Sequence, residues 1–391
     1  MNILNFFLRT KFYFKLPKRN KVLEYKNSKF LSNSYYLDPY LEIYILILLK
    51  SLLKPQTNNL YLNYCIEYFS HVRPSYVITF FDNDIRFYKF KSFFSNIIFI
   101  SIQNGYRSLI GDGLLEIKLN KKKFNLSCDY MFLYNKYIKS EVNKYIKANK
   151  FVIGSYKNNN YKMLAKKKTR VKVIGFISQF SHYDNQCEEI FYKDNKSSIS
   201  IREFYLAEKK ILGIISNFCL SNKLNLTIIP RSNTIEEFNF YKNSLKNCNW
   251  TFAEKKNMTD TYKIIHNCDC IFSIDSTLLY ECLSRKIPTG ALSIRGDLLG
   301  KKKSLDMCDY NFCWPKKIEK TGPFWTNIDS EKEVLRVLNF VTFISKKKWE
   351  KVIKKFGNIV ILYDFNNKIL KKKIAEISEN LDLNKFLTTK K

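Results

Sequence analysis

Ser276, Thr277 and Glu281 are the residues whose types and spacing could do chemistry in this chain. They follow a short apolar run, Cys270 to Ile274, that reads as a buried strand, and Asp-Ser-Thr is the composition of a helix N-cap. Leu278, Leu279, Cys282 and Leu283 then recur at helical spacing and face the sheet. Thr277 and Glu281, four apart, share the opposite and exposed face. A helix starting there aims backbone N–H groups and the positive end of its dipole past the strand, and the hydroxyls of Ser276 and Thr277 add donors. That chemistry suits a phosphate. Glu281, one turn deeper, is placed to accept hydrogen bonds from two hydroxyls of a sugar.

The Ser-Thr-Leu-x-Tyr-Glu order resembles the donor-nucleotide site in the C-terminal domain of GT-B glycosyltransferases. ITFFDN, ISIQNG, IGSYKNN, IIPR, SIDSTLLYE and GPFWTN also stand in an order that resembles the surface-polysaccharide biosynthesis proteins of bacterial O-antigen clusters, from about Tyr76 to Trp349. The resemblance implies a GT-B-like α/β architecture of two Rossmann-like parallel-sheet domains facing a cleft. It implies a nucleotide-sugar donor held by the second domain and a glycan or lipid-linked acceptor held by the first. The nucleotide-sugar would be a substrate, so no cofactor is expected. The sequence departs from the pattern at Ser284-Arg285-Lys286-Ile287-Pro288, which lacks the Gly that usually stops such a helix.

The elements that must position these residues alternate strand and helix, the pattern of parallel sheets with helices on both faces. Val22 to Tyr25 reads as the first strand, and Leu41 to Leu53 as a strongly apolar helix buried on most sides. Tyr76 to Phe81 is a strand that delivers Asp82-Asn83-Asp84 at its carboxyl end. Ile97 to Ile102 likewise delivers Gln103-Asn104-Gly105-Tyr106-Arg107. Ligands of open α/β sheets sit beyond such ends. Gly105 permits a tight turn there, and Arg107 can meet an anionic group.

Asp82 is the candidate general base for an acceptor hydroxyl, because a half-buried carboxylate at a strand end is tuned upward. Capping of the following helix by Asp82 or Asn83 is an equal reading. Enzymes of this kind often carry a His in such a loop. Here Asn104 stands in it and cannot act as a base, so Asp82, Asp84 and Asp112 all stay open.

The polar, strand-free stretch YKNNNYKMLAKKKTR suits an interdomain linker. The expected organisation is a first domain over 1–155, a linker over 156–170, a second domain over 171–328, and C-terminal helices over 329–391, the first of which crosses back to the first domain. In the second domain, Val171 to Ile177 runs into Ser178-Gln179-Phe180-Ser181, where Ser178 and Ser181 are candidate diphosphate contacts. Asn225 to Ile229 ends at Pro230-Arg231. Arg231 is a cation for the leaving phosphates or else a salt-bridge partner of Glu236 or Glu237. Arg295 lies beyond another strand end, on the same side. Trp325, in Thr321-Gly322-Pro323-Phe324-Trp325-Thr326-Asn327, either stacks on a base or sugar or wedges protein against protein.

Composition excludes several classes. At 391 residues and 46% hydrophobic the chain has material for two cores and is not a disordered protein. A net charge of +32 would ordinarily suggest nucleic acid, yet the Lys triplets at 121, 166, 301, 346 and 371 are scattered and form no single basic stripe. With three histidines and no zinc-knuckle spacing among ten cysteines, no metal site is expected. Unpaired cysteines without a secretory segment point to the cytoplasm. No run reaches the ~20 apolar residues of a membrane span, so contact with the inner membrane would be peripheral, on its cytoplasmic face. Leaving-group stabilisation by a helix N-terminus and an Arg needs no metal. Metal-independent sugar transfer is therefore the leading expectation. Polyol-phosphate transfer, nucleotide-sugar epimerisation and a non-catalytic scaffold of polysaccharide assembly are the alternatives.

Overall fold

The computed structural model describes residues 10–26, 30–31, 35–106, 125–162, 171–180, 189–192, 197–245, 248–257, 260–304, 310–313, 318–357, 360–378, 382–385 and 387. The chain divides into two compact units. Residues 1–104, 112–157 and 367–391 form the first, and 105–111 with 158–366 form the second.

In the first unit, β1 (Lys11–Tyr13) and β4 (Glu42–Tyr44) make a small parallel ribbon. The main sheet contains β2 (Val22–Tyr25), β3 (Tyr35–Leu37), β5 (Tyr76–Thr79), β6 (Ile98–Ile102), β7 (Ser127–Leu133) and β8 (Lys147–Val152). Its spatial order is β3-β2-β5-β6-β7-β8, parallel throughout. Near-continuous apolar strands such as YVIT and IFISI require this arrangement, since both faces must be covered.

Part of that cover comes from the far end of the chain. Leu370 and Ile374 of the Lys368–Ile377 helix, with Leu383 and Leu387, lie in one core cluster with Ile78, Phe80, Ile100 and Phe132. Each such side chain contributes about 1.5–3 kcal/mol when fully buried. The return to the first unit therefore begins at Asn367, not at Glu331 as expected. The Glu331–Phe343 helix belongs to the second unit, where it packs on the Leu206–Ser221 helix and buries Val334, Val337, Leu338 and Val341.

Two further expectations change. The Ile45–Leu53 helix buries only Ile47 and Ser51, and Leu46, Leu49, Leu52 and Leu53 are exposed. The start of the expected linker is not a solvated linker either. Tyr156–Asn159 is a helical turn in which Asn158 and Asn159 are wholly buried. Their amides are satisfied inside: Asn158 Oδ1 accepts from Arg285 Nε at 2.5 Å, and Asn159 Oδ1 accepts from the Asp364 N–H at 2.9 Å.

In the second unit, β10 (Glu189–Tyr192) and β11 (Ser197–Ser200) pair as an antiparallel ribbon. The main sheet contains β9 (Val173–Ile177), β12 (Asn225–Ile229), β13 (Trp250–Phe252), β14 (Cys270–Ser273), β15 (Thr289–Leu292), β16 (Thr321–Gly322) and β17 (Trp325–Thr326). The order is β13-β12-β9-β14-β15-β17-β16, parallel except for the last pair. Strands are added first on one side of β9 and then on the other, so the chain reverses direction between β9 and β14. In the first unit the same reversal falls between β2 and β5. Loops on the two sides of such a switch point diverge and leave a crevice at the carboxyl ends.

Candidate functional site

The switch point of the second unit is where the chemistry-bearing residues meet. β14 ends, and Ser276 caps the Thr277–Ser284 helix, its Oγ accepting from the Leu278 N–H at 3.3 Å. Leu279, Cys282 and Leu283 are buried, as their spacing predicted, whereas Leu278 is half-buried. The helix also stops cleanly without a glycine. Lys286 takes the left-handed conformation at φ 58°, while the Ile287 N–H bonds Cys282 O at 3.1 Å and the Lys286 N–H bonds Leu283 O at 2.9 Å. These two bonds are a Schellman motif, with a lysine where glycine is favoured.

Gln179, just beyond β9, joins three strand ends. Its amide, oriented to satisfy both neighbours, donates to Asp275 Oδ1 at 2.9 Å and accepts from Ser276 Oγ at 3.2 Å. Its backbone carbonyl accepts from Arg231 Nη1 at 3.4 Å. The exposed Arg231 guanidinium, the half-buried Ser276 and the helix N-terminus thus share one rim. The anticipated salt bridge of Arg231 does not form. Glu237 instead accepts the backbone N–H groups of Arg231, Ser232 and Asn233 at 2.7, 2.9 and 2.7 Å.

Behind the rim lies a buried charged layer. Arg295, wholly enclosed, bonds Asp275 Oδ2 through Nη1 and lies over the Phe204 ring at 3.9 Å. Expected beyond a strand end on the cleft side, it is buried instead. Burial pulls its pKa down, but Asp275 and Glu208 outweigh this and keep it above the ordinary value. Glu208 accepts from the Gln179 N–H at 3.2 Å and from the Tyr241 hydroxyl. Burial pushes its carboxyl up against the opposing pull of Arg295.

Several expected contacts are already engaged. Glu281 is buried, not on an exposed face, and accepts from the Tyr262 hydroxyl at 2.8 Å. The Thr277 hydroxyl accepts the Tyr106 N–H at 2.9 Å, and the Tyr106 ring stacks on Tyr280 with centroids 3.7 Å apart. Ser178 is turned inward, its Oγ holding the Phe180 N–H at 3.1 Å. Trp325 is core: it packs against Phe312, Phe324 and Phe356 and covers Gly322, where a Cβ would come within 2.0 Å of its ring. That close approach accounts for the Gly-Pro-Phe-Trp spelling.

In the first unit, Asp82 is 5% exposed and its Oδ1 accepts the Asn104 N–H at 3.1 Å, so the carboxylate ties the end of β5 to the loop after β6. Gln103 is buried and stitches β6 to β7 by accepting the Tyr134 N–H at 2.8 Å. Asn83 is half-exposed. Asp84 sits across the β2–β5 switch point, bonded to Lys26 Nζ at 2.6 Å and Arg86 Nε at 2.8 Å. Gly105 groups with the second unit and is not left-handed; Gly154 is the positive-φ glycine among the described residues. Arg107, Asp112 and Ser181 lie outside the described residues. Among those described, no group of three or more His, Cys, Asp or Glu could hold a metal, and no helix is long and apolar enough to cross a membrane.

Gln179, Asp275 and Glu237 stand in the motifs above without the roles that the structure assigns them, and Glu208 stands in none. Glu237 carried a signal: Thr234-Ile235-Glu236-Glu237 has capping-box spacing, and Thr234 does cap the Ile235–Ser244 helix. Glu208 carried none, since its burial depends on packing across the sheet.

No curated protein matches this chain. Among solved structures it is similar to a "putative UDP-N-acetylglucosamine 2-epimerase" from Listeria monocytogenes, at 11% identity, TM-score 0.52, covering 93% of this chain and 98% of that one. It is also similar, at 13% identity and TM-score 0.43, to the wall teichoic acid polymerase TagF, covering 93% of this chain and 88% of that one. A UDP-GlcNAc 2-epimerase from Methanocaldococcus jannaschii gives 12% identity and TM-score 0.46, over 86% and 98%. The Listeria match shows the fold, GT-B. A family model described as "putative O-antigen biosynthesis protein" matches residues 100–377, well over half the length, and so takes in both strand ends that meet at Gln179 and Ser276. The chain belongs to that O-antigen biosynthesis family.

Proposed function

We propose that this protein is an enzyme of surface-polysaccharide assembly that binds a nucleotide-sugar at the β9–β14 switch point and transfers the sugar, without a metal, to a glycan or lipid-linked acceptor. The observation that carries this reading is the convergence of Gln179, Arg231 and Ser276 on one rim, with a helix N-terminus among them. In the transfer, the acceptor hydroxyl oxygen forms a bond to the anomeric carbon as the bond to the diphosphate breaks, and the hydroxyl proton passes to the departing phosphate. The electron pair leaves on a phosphate oxygen. Arg231 and the helix dipole meet that developing charge, and fixed donors of this kind are worth about 2.7–4 kcal/mol each when removed from an oxyanion site. The Arg295–Asp275 pair behind the rim holds Gln179 in register and does not touch substrate.

The test is calorimetric titration with UDP, GDP, CMP and CDP at moderate salt, on the native chain and on Ser276→Ala and Arg231→Ala. One nucleotide should bind, and each substitution should cost about 1–3 kcal/mol. A folded protein that binds none of them sinks the reading and favours the scaffold. Loss of turnover in EDTA would remove the metal-independent mechanism. Interconversion of a nucleotide-sugar with no acceptor present would replace transfer by epimerisation, and transfer of a polyol phosphate from CDP-glycerol would make that the reaction.

A further inference from the structure

We propose that the Ile45–Leu53 helix, with the β1 strand beside it, is a docking face for a membrane surface that carries anionic lipid headgroups. The helix turns Ile47 and Ser51 inward and leaves Leu46, Leu49, Leu52 and Leu53 at 42%, 49%, 54% and 81% exposed. Leu46, Leu49 and Leu53 recur at i, i+3 and i+7 and so form one stripe. β1 pairs with β4, which runs directly into this helix, and Phe12 and Phe14 are exposed there at 38% and 80%. Ten of the sixteen exposed large hydrophobic side chains among the described residues fall between positions 12 and 60. The pairing of β1 with β4 and the run of β4 into the helix make these adjoining elements, and exposed apolar side chains grouped on adjoining elements mark a binding surface, whereas scattered ones mark nothing.

The charges decide the occupant. Lys11 and Lys15 flank Phe12 and Phe14, and Lys50 and Lys54 follow Leu49 and Leu53, all four exposed. The nearby carboxylates are engaged: Glu24 is buried, Glu42 accepts from the hydroxyls of Tyr13 and Tyr36, and Asp38 accepts the Tyr40 N–H at 3.1 Å, so the four lysines leave the surface basic. Leucine and phenylalanine entering the acyl boundary, with lysine ammonium groups extending to the headgroups, is the pattern of a surface-lying segment. A second copy of this chain would bring a like-charged patch against this one, which opposes self-association. At nine residues the helix lies on a bilayer and cannot span it.

This inference rests on the first unit's surface alone, independent of the nucleotide reading. The full chain is sedimented with vesicles of phosphatidylcholine and of phosphatidylcholine with phosphatidylglycerol, at low and high salt. Binding is expected to the anionic vesicles, weakened by salt. Leu49→Glu/Leu53→Glu should lower it by about tenfold or more, and Lys50→Glu/Lys54→Glu should lower it as well. Leu220→Glu, at an exposed leucine of the second unit, should leave it unchanged. Unchanged thermal melting and circular dichroism would show that the variants are folded. Absence of binding to anionic vesicles overturns the proposal, as does binding indifferent to Leu49→Glu/Leu53→Glu. A dimer seen by ultracentrifugation and dissolved by that double variant, without vesicle binding, would replace the membrane by a second copy.

Discussion

Arg295 holds Asp275 from the buried side, while Gln179 holds the same carboxylate from the rim. Asp275 is therefore the joint between a charged interior and the residue that caps the Thr277–Ser284 helix. An ion pair so placed adds little net stability, because desolvation offsets attraction. Breaking it is costly, because one charge is left buried alone.

Asp275→Ala should accordingly destabilise the fold by about 3–5 kcal/mol. Arg295→Met, which fills the space over Phe204 without charge, should cost less. The double variant should be markedly more stable than the sum of the singles predicts. Urea unfolding of all four proteins measures this coupling, and additive losses would show that the pair does not act as a unit.

Ser276 caps its helix, and in the proposed site it also seats a phosphate. Ser276→Asp preserves a good N-cap and favours the helix dipole, so melting should hold or rise, whereas Ser276→Ala should lose about 1 kcal/mol. For nucleotide binding the carboxylate repels a diphosphate. Ser276→Asp should weaken affinity by more than the ~1–3 kcal/mol expected for the alanine variant. Equal affinities of the aspartate and native proteins would remove Ser276 from the site.

Lys286 occupies a conformation that costs an L-residue about 1–2 kcal/mol. Lys286→Gly keeps both Schellman bonds and should stabilise the protein by about 1 kcal/mol in denaturant melts, with nucleotide affinity unchanged. A destabilised glycine variant would mean that the lysine side chain makes a compensating contact.

Burial pushes the Asp84 carboxyl up, but Arg86 and Lys26 outweigh it and hold the pKa below the ordinary value. For a carboxylate depressed on folding, the stability contribution is complete above the unfolded pKa, ~3.9, and is lost as pH falls through the lower folded value. Native stability should decline with acid below about pH 4 more steeply than that of Asp84→Asn. Parallel slopes for the two proteins would contradict the assignment.

The sequence was legible where the physics is local. Apolar runs ending in small polar residues specified the strands and the Ser276 cap, because both depend on neighbours within one turn or one strand. Local pattern does not specify the burial of polar residues whose partners are remote. Glu281 and Asn158 are buried because Tyr262 and Arg285, remote in sequence, complete their hydrogen bonds. The apolar run after Ile45 has the composition of a core helix, yet a single face of that helix is covered.

What the sequence determined by itself is the α/β class, the strand ends and the residue types placed on them. Only the tertiary structure decided which ends are neighbours. β9 and β14 are joined by side-by-side pairing that no spacing in the chain encodes. That pairing creates the switch point at which Gln179, Arg231 and Ser276 meet. Hydrogen bonding between strands is indifferent to sequence distance, so the site is a property of the sheet order.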